Sequence, residues 1–211
     1  MPPPSKYAIA LFDGFQVLDA FGPLDVLFVL SRYSPVELSV LAPTTQPVTS
    51  LVKTRPGSIG ESIVPTHTFA TAPEDIEVLI VPGGAGTREM EATQPLVDLI
   101  RERFPRLRYL LTVCTGSALA ARAGVLDGRN ATSNKLSFDW VMTQGPEVNW
   151  IRRARWLTDG NIWTSSGISA GIDMAYAFVE DQYGAKVADD IARVQEYVRN
   201  RDPTNDPFAP A

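Results

Sequence analysis

The sequence contains little cysteine and no strong excess of one charge, and each scarcity excludes a class of protein. The single cysteine, Cys114, has no partner for an intrachain disulfide and cannot build a cysteine-rich metal site. The formal charge of −5 comes from 19 basic and 24 acidic residues. It provides neither the basic surface that nucleic acid requires nor an attraction to anionic membranes. We therefore expect no nucleic-acid and no membrane partner.

Long hydrophobic runs are also missing from the sequence. No stretch approaches the roughly 20 apolar residues that cross a bilayer, and the first residues lead into a strand-like segment without the apolar core of a signal peptide. With the lone cysteine, these features predict a cytoplasmic protein. The apolar fraction of 45% and the length of 211 residues suit one domain with a large core. We expect a single domain over residues 1–211, with a core over about 7–198 and a proline-rich surface tail over 201–211.

Short apolar segments alternate with longer helical patterns along the chain. This alternation is typical of an α/β fold with a mostly parallel central sheet and helices on both faces. Residues 44–72 are rich in Pro, Gly, Thr and Ser and predict an excursion with a hairpin. The strands are predicted over 7–12, 36–41, 77–81 and 108–113, with a hairpin over 156–164. The helices are predicted over 19–30, 94–104, 114–123, 169–183 and 186–199.

The most informative segment is the strand over 108–113, which runs directly into Cys114, Thr115, Gly116 and a helix. Small residues permit the tight strand–turn–helix arrangement of a nucleophile elbow. Ligands of open α/β sheets collect at the carboxyl ends of the strands, where this cysteine would lie. The unpaired N–H groups of the helix would stabilise a thiolate, so we expect a lowered Cys114 pKa. A small buried hydrophobe is the alternative interpretation of a lone cysteine, and the turn favours the nucleophile.

A glycine-rich segment follows the neighbouring strand at the same edge of the sheet. Glycines let backbone N–H groups approach a ligand closely, so Gly83 and Gly84, with Gly116, are candidates for a substrate-binding oxyanion site. Pro-Gly-Gly is also a plain turn, and only its place beside the cysteine carries this prediction. The spacing does not match a phosphate-binding loop, so nucleotide binding is not expected.

Four segments in this order resemble the DJ-1/PfpI superfamily, also called ThiJ/PfpI, over residues 7 to about 198. They are VLDAFGP at 17–23, VPGG at 81–84, VCTGS at 113–117 and SGISAGID at 166–173. Within the superfamily, the aspartate before Gly-Pro, the Cys-Thr-Gly-Ser turn and the Ala-Gly-Ile-Asp segment are most similar to the isocyanide hydratase branch. The same segments occur in sensor-like domains of AraC-type regulators, but we find no DNA-binding module here.

The resemblance implies a flavodoxin-like three-layer sandwich, a homodimer and a cysteine nucleophile. It also implies that Asp19 points at the Cys114 sulfur from the first strand-to-helix junction. The alternative role for Asp19 is a helix N-cap, which aspartate often fills. In a partly dry pocket beside a thiolate, the Asp19 pKa would rise and the carboxyl group would be able to donate a proton.

One departure from the superfamily concerns histidine. Many members place a histidine shortly after the cysteine helix, but the matching residues 131–135 contain none. The single histidine, His67, is expected in an exposed loop of the excursion. Chemistry through a Cys-His pair is therefore disfavoured, whereas the hydratase branch relies on Cys, Asp and Thr, which are present as Cys114, Asp19 and Thr115.

These residues favour a hydratase that converts an isocyanide to an N-substituted formamide without a metal or an organic cofactor. Its expected partner is a small-molecule substrate. Three other functions use the same cysteine or the same pocket. They are a glyoxalase or deglycase acting on small α-oxoaldehydes, a redox or small-molecule sensor whose cysteine is oxidised, and a binding protein or chaperone without turnover.

Overall fold

The computed structural model describes residues 2–209, in which a central sheet is flanked by helices. The strands are β1 Lys6–Ala10, β2 Glu37–Ala42, β3 Val48–Thr49, β4 Ser62–Ile63, β5 His67–Thr68, β6 Val78–Val81, β7 Tyr109–Val113, β8 Asn130–Ala131, β9 Asn149–Trp150, β10 Trp156–Asp159 and β11 Ile162–Ser165. The α-helices are α1 Val17–Leu30, α2 Met90–Arg103, α3 Gly116–Arg122, α4 Phe138–Gln144, α5 Ser169–Tyr183 and α6 Ala185–Val194.

The central sheet has seven strands in the order β10-β11-β7-β6-β1-β2-β5. All neighbours are parallel except the β10–β11 hairpin at one edge. Val81 at the end of β6 pairs with Thr112, and Ser165 at the end of β11 pairs with Val113. Three adjacent strands therefore end at the same level, and the loops that follow them meet above one edge of the sheet.

The helices form two layers around this sheet. Helices α1, α5 and α6 contact one another, and α2, α3 and α4 form a second contacting set. The side chains of β6, β7 and β11 are almost all buried because helices cover both faces of these strands. The predicted flavodoxin-like α/β sandwich is confirmed. Among residues 2–209 no helix has the length and apolar character needed to span a bilayer.

The excursion at 44–72 contains the predicted hairpin, in which β3 pairs antiparallel with β4. The prediction for His67 is wrong, because this residue lies in β5 at the edge of the main sheet and is only partly exposed. Helix α4 and the small β8–β9 sheet were not predicted. Helix α4 has only seven residues, of which Phe138 and Val141 are buried, and two buried residues are too few to establish a helical period.

The last helix ends five residues before the end of the predicted 186–199. It ends at Val194, and Glu196 has a positive φ of 50°, which a continuing helix does not permit. The buried Asp173 carboxylate accepts hydrogen bonds from the Tyr197 hydroxyl at 3.0 Å and from the Asn200 N–H at 2.9 Å. This tertiary contact overrides the helical pattern of residues 195–199.

The proline-rich tail lies on the surface, as expected, but it is anchored at two points. The Arg155 N–H donates to the Pro203 carbonyl at 2.7 Å. The Asp206 carboxylate is buried 3.2 Å from the Lys135 ammonium group. The last two residues of the predicted tail, 210 and 211, lie outside the described residues.

Candidate active site

Cys114 lies in the turn between β7 and α3, in a backbone conformation that is unusual for a residue with a side chain. Its φ is 57°, in the left-handed region. The Cys114 N–H donates to the carbonyls of Ser165 and Ser166, both at 3.2 Å. Its carbonyl accepts from the hydroxyls of Ser133 at 2.8 Å and Ser117 at 3.1 Å. These four bonds hold a conformation that costs roughly 1 kcal/mol or more in an unconstrained chain.

Asp19 lies in the first turn of α1 and is fully buried. Its Oδ2 atom accepts the N–H of Gly83 at 3.0 Å, and its carboxyl group lies close enough to the Cys114 thiol for each group to shift the pKa of the other. Among residues 2–209 the buried Oδ1 atom has no hydrogen-bond partner. The N-cap interpretation is wrong, because α1 begins at Val17 and has no side-chain cap. The structure thus brings Asp19 and Cys114 together, as the resemblance implied.

The protonation of this pair differs in part from the expectation. Burial raises the pKa of Asp19 to about 7, against the opposing effect of the Gly83 N–H and the thiol. Burial and then the charge of Asp19 raise the pKa of Cys114 to about 12. The predicted lowering of the thiol pKa is wrong. Desolvation and a like charge outweigh the few N–H groups at the start of α3, which is only seven residues long.

Gly83 and Gly84 lie beside the pair, but their N–H groups are already occupied. The Gly83 N–H bonds Asp19, and the Gly84 N–H donates to the Thr115 hydroxyl at 3.0 Å. The hydroxyl of Thr87 also donates to the Thr115 hydroxyl at 3.2 Å. The expectation that the Gly83 and Gly84 N–H groups are free for an oxyanion is therefore wrong. They position Asp19 and Thr115 instead.

Gly116 has a packing role in the structure. A Cβ at this position would lie 2.3 Å from the Val81 carbonyl oxygen and 2.9 Å from that of Pro82. Glycine is required because α3 begins directly against the end of β6. The geometry does not support the expected contact of Gly116 with a substrate.

The N–H groups that act on the cysteine sulfur belong to Thr115 and Ile168. Both lower the Cys114 pKa, in opposition to burial. Ile168 has a φ of 44°, a strained conformation for a β-branched residue, at the start of α5. Sequence reasoning did not assign a role to Ile168, although it lies within the segment 166–173 that carried the resemblance. These two N–H groups are the ones placed to stabilise negative charge on the sulfur.

A cavity of about 630 Å³ opens above Cys114 and Thr115. The excursion and the residues after Asn134 supply much of its wall. The remaining wall comes from the loop before α1 and from the segment after Gly84. Its lining residues are Gly14, Phe15, Gln16, Val17, Ser50, Val52, Arg55, Gly57, Ser58, Ile59, Glu61, Gly84, Ala85, Arg88, Cys114, Thr115, Asn134, Leu136, Ser137 and Ile168.

Within the described residues, no histidine lines this cavity, and His67 lies in β5 at the sheet edge. Over residues 2–209 no three His, Cys, Asp or Glu side chains lie together as a metal site requires. Asp19 is thus the titratable side chain that acts on the sulfur. The arrangement provides a sulfur nucleophile, one carboxyl group that exchanges protons with it, and two N–H groups directed at it.

Comparison with known proteins places this geometry in a family. The model of the DJ-1/PfpI family matches residues 5–181. The chain belongs to the DJ-1/PfpI family. This assignment agrees with the resemblance found in the four sequence segments.

Three members or relatives of the DJ-1/PfpI family illustrate its range. The chain is 35% identical to isonitrile hydratase of Pseudomonas putida over 187 residues, which cover 89% of this chain and 76% of that protein. It is 30% identical to a deglycase of Pyrococcus horikoshii over 126 residues, 59% of this chain and 72% of that one. The crystal structure of a ThiJ/PfpI family protein from Pseudomonas syringae superimposes with a TM-score of 0.79 at 29% identity, covering 99% of this chain and 82% of that one. The family therefore includes enzymes of more than one activity.

Proposed function

We propose that the protein is a cysteine-dependent isocyanide hydratase, a lyase that adds water to R–N≡C and yields the formamide R–NH–CHO without a metal or an organic cofactor. The observation that carries the proposal is the buried pair of Asp19 and Cys114, each of which shifts the pKa of the other, at the base of the cavity. The similarity to isonitrile hydratase across most of the chain supports it. The lone unpaired cysteine is consistent with action in the cytoplasm.

The first step forms a bond between the Cys114 sulfur and the terminal carbon of the isocyanide. The pair needs one proton for this step, because a sulfur and a hydrogen are both added to the same carbon. Asp19 takes up the thiol proton as the sulfur attacks and delivers it to the carbon. The product is a thioimidate, Cys–S–CH=N–R, with Asp19 left as a carboxylate. The N–H groups of Thr115 and Ile168 hold the sulfur while its charge develops.

The second step hydrolyses the thioimidate. Asp19 accepts a proton from water while the water oxygen bonds to the carbon, and it then passes this proton to the nitrogen. The carbon–sulfur bond of the tetrahedral intermediate breaks as the C=O bond forms. The hydroxyl proton returns to the pair, and the formamide leaves. The atoms of one water molecule are thereby added, and Asp19 and Cys114 regain their initial state.

The similarity to deglycases supports a second candidate activity. A glyoxalase or deglycase would use the same cysteine. The absence of a histidine from the described cavity lining favours the hydratase, since Asp19 alone must then exchange protons with the sulfur. A redox sensor would require ready oxidation of a thiolate. Burial raises the pKa of Cys114, which lowers the thiolate fraction available for such oxidation in the unliganded protein.

The experiment incubates the protein with a simple neutral isocyanide and follows the formamide by proton NMR. The Cys114→Ser variant serves as the matched control. We expect formamide only with the cysteine present. Absence of formamide at high protein concentration would refute the proposal. Parallel incubation with methylglyoxal, and mass measurement after peroxide treatment, detect the glyoxalase and sensor activities.

A further inference from the structure

The charges that line the cavity above Cys114 differ in sign from the charge of the whole chain. The chain carries a formal charge of −5. The cavity is lined by two arginines, Arg55 and Arg88, and by a single carboxylate, Glu61. The Glu61 carboxylate accepts the Ser50 hydroxyl at 2.8 Å. The lining therefore has an excess of positive charge that its own residues do not neutralise.

Arg88 is the better defined of the two arginines. Its guanidinium group stacks on the Trp140 ring, 4.2 Å from the ring centroid, and donates to the Ser137 hydroxyl at 3.1 Å. Over residues 2–209 neither Arg88 nor Arg55 belongs to an ion pair, whereas most other arginines do. Arg88 is thus a fixed cation with donors that are not bound to a carboxylate.

Arg88 lines the same cavity as the reacting sulfur. It follows Thr87, whose hydroxyl donates to the Thr115 hydroxyl at 3.2 Å, and Thr115 follows Cys114. The one other cation of the nearby excursion loop, Lys53, is already paired with Asp13 at 2.7 Å. Arg88 and Cys114 line the same cavity, so a molecule bound to the sulfur shares this cavity with an arginine that has no carboxylate partner.

We propose that the substrate of this protein is an isocyanide that carries a carboxylate, and that Arg88 binds this carboxylate. The inference rests on the proposed hydratase function and names its substrate class. A planar guanidinium matches a carboxylate with two parallel hydrogen bonds. Val17 and Leu136 offer apolar surface to the carbon chain between the two functional groups. The product is an N-formylamino carboxylate.

The first test measures kcat/KM for isocyanoalkanoates with one, two and three methylene groups and for their methyl esters. We expect the acid to be preferred over its ester for at least one chain length. The acid-to-ester ratio falls about tenfold in Arg88→Met, by analogy with other charge-assisted hydrogen bonds. Arg88→Lys keeps part of the preference, which a purely structural role of Arg88 would not produce. Arg101→Met removes an exposed arginine of α2 and leaves the ratio unchanged.

The second test measures binding of the corresponding N-formylamino acids and their methyl esters by calorimetry. We expect the acids to bind more tightly than their esters, and we expect Arg88→Met to weaken the binding of the acids about tenfold. If acids and esters bind alike and Arg88→Met leaves the kcat/KM ratio unchanged, the carboxylate inference is overturned while ester hydration still supports the hydratase. If no isocyanide is hydrated but Arg88-dependent binding persists, the hydratase proposal fails and the anion site stands.

Discussion

The carboxyl group of Asp19 lies beside the thiol of Cys114, and both side chains are buried. Burial raises the pKa of each group, and the charge of Asp19 raises that of Cys114 further. The pair therefore loses its first proton near pH 7 and keeps the second to a much higher pH. Between these values it holds one proton, which is the number that addition of sulfur and hydrogen to an isocyanide carbon consumes.

The first prediction concerns the pH dependence of kcat/KM for a neutral isocyanide. The two-proton form below pH 7 has no group to accept the thiol proton, so kcat/KM rises as pH increases through about 7 and then levels off. The Asp19→Asn variant loses this rise, since asparagine does not titrate. A profile that falls above pH 7 would show instead that protonated Asp19 is the active form.

Replacement of the proposed nucleophile gives the second prediction. Cys114→Ser should lower turnover to below the detection limit. The lining of the cavity, within the described residues, contains no histidine that could activate a serine hydroxyl. Circular dichroism and the melting temperature check that the fold is kept. Substantial formamide production by Cys114→Ser would show that the sulfur is not the nucleophile.

The position of the pair could be predicted from the sequence, and its protonation could not. The strand before Cys114 and the helix after it are local patterns, and parallel strands bring their carboxyl ends together. The pKa values of Asp19 and Cys114 are raised mainly because both side chains are buried. The residues that bury them are distant in sequence, so no local pattern predicts the shift. The sequence also could not show that the N–H groups of Gly83 and Gly84 are already hydrogen-bonded, because their partners Asp19 and Thr115 are distant in sequence and meet them only in the folded chain.

Ile168 shows a second limit of sequence reasoning. Its N–H acts on the Cys114 sulfur only because the backbone adopts a φ of 44°. A β-branched residue gives no local signal for this conformation, which is normally unfavourable. A binding role for Arg88 was not predicted for a related reason. Nothing in the sequence around this arginine indicates that it lines a cavity.

The third prediction is that the protein is a homodimer. The α1 surface exposes Leu18, Phe21 and Phe28 next to Leu38, around a cavity of about 610 Å³. We propose that a second copy covers this apolar face, as the family resemblance implied. Light scattering at micromolar concentration should give about twice the chain mass of 23.0 kDa. Phe28→Glu should shift the mass toward 23.0 kDa, and the control Met90→Glu, at an exposed site on α2 in the opposite helix layer, should not.

The fourth prediction concerns the anchor of the C-terminal tail. The Lys135 ammonium group lies 3.2 Å from Asp206, and both side chains are buried. Asp206→Asn leaves this ammonium group without its counter-charge, which should destabilise the fold by about 1–3 kcal/mol. The melting temperature then falls by about 3–10 °C. Asp202→Asn, in an exposed part of the same tail, is the control. Equal melting temperatures for the two variants would contradict the anchoring role.

The fifth prediction is that Asp19→Asn stabilises the protein at neutral pH. The ordinary carboxyl pKa of 3.8 is raised to about 7 in the fold, so the folded state binds this proton more tightly than the unfolded state. The free energy of unfolding therefore falls as pH rises from about 4 to about 7. Asparagine does not titrate, so the variant does not lose stability as pH rises over this range. Its side-chain oxygen can still accept the Gly83 N–H. The advantage of the variant should grow over this range to at most about 4 kcal/mol at pH 8.

The same variant should be nearly inactive, and the combination identifies the role of Asp19. Loss of a proton-transferring group costs about 10² to 10⁴ in rate. Asp19→Glu keeps the carboxyl group but displaces it by a methylene, so we expect it to be impaired as well. Denaturant unfolding at pH 4 and pH 8, with kcat/KM at pH 8, measures both effects. A variant that is more stable at pH 8 and inactive would match a buried acid that exchanges protons with Cys114. A variant that keeps its activity would leave the hydratase mechanism without its proton donor.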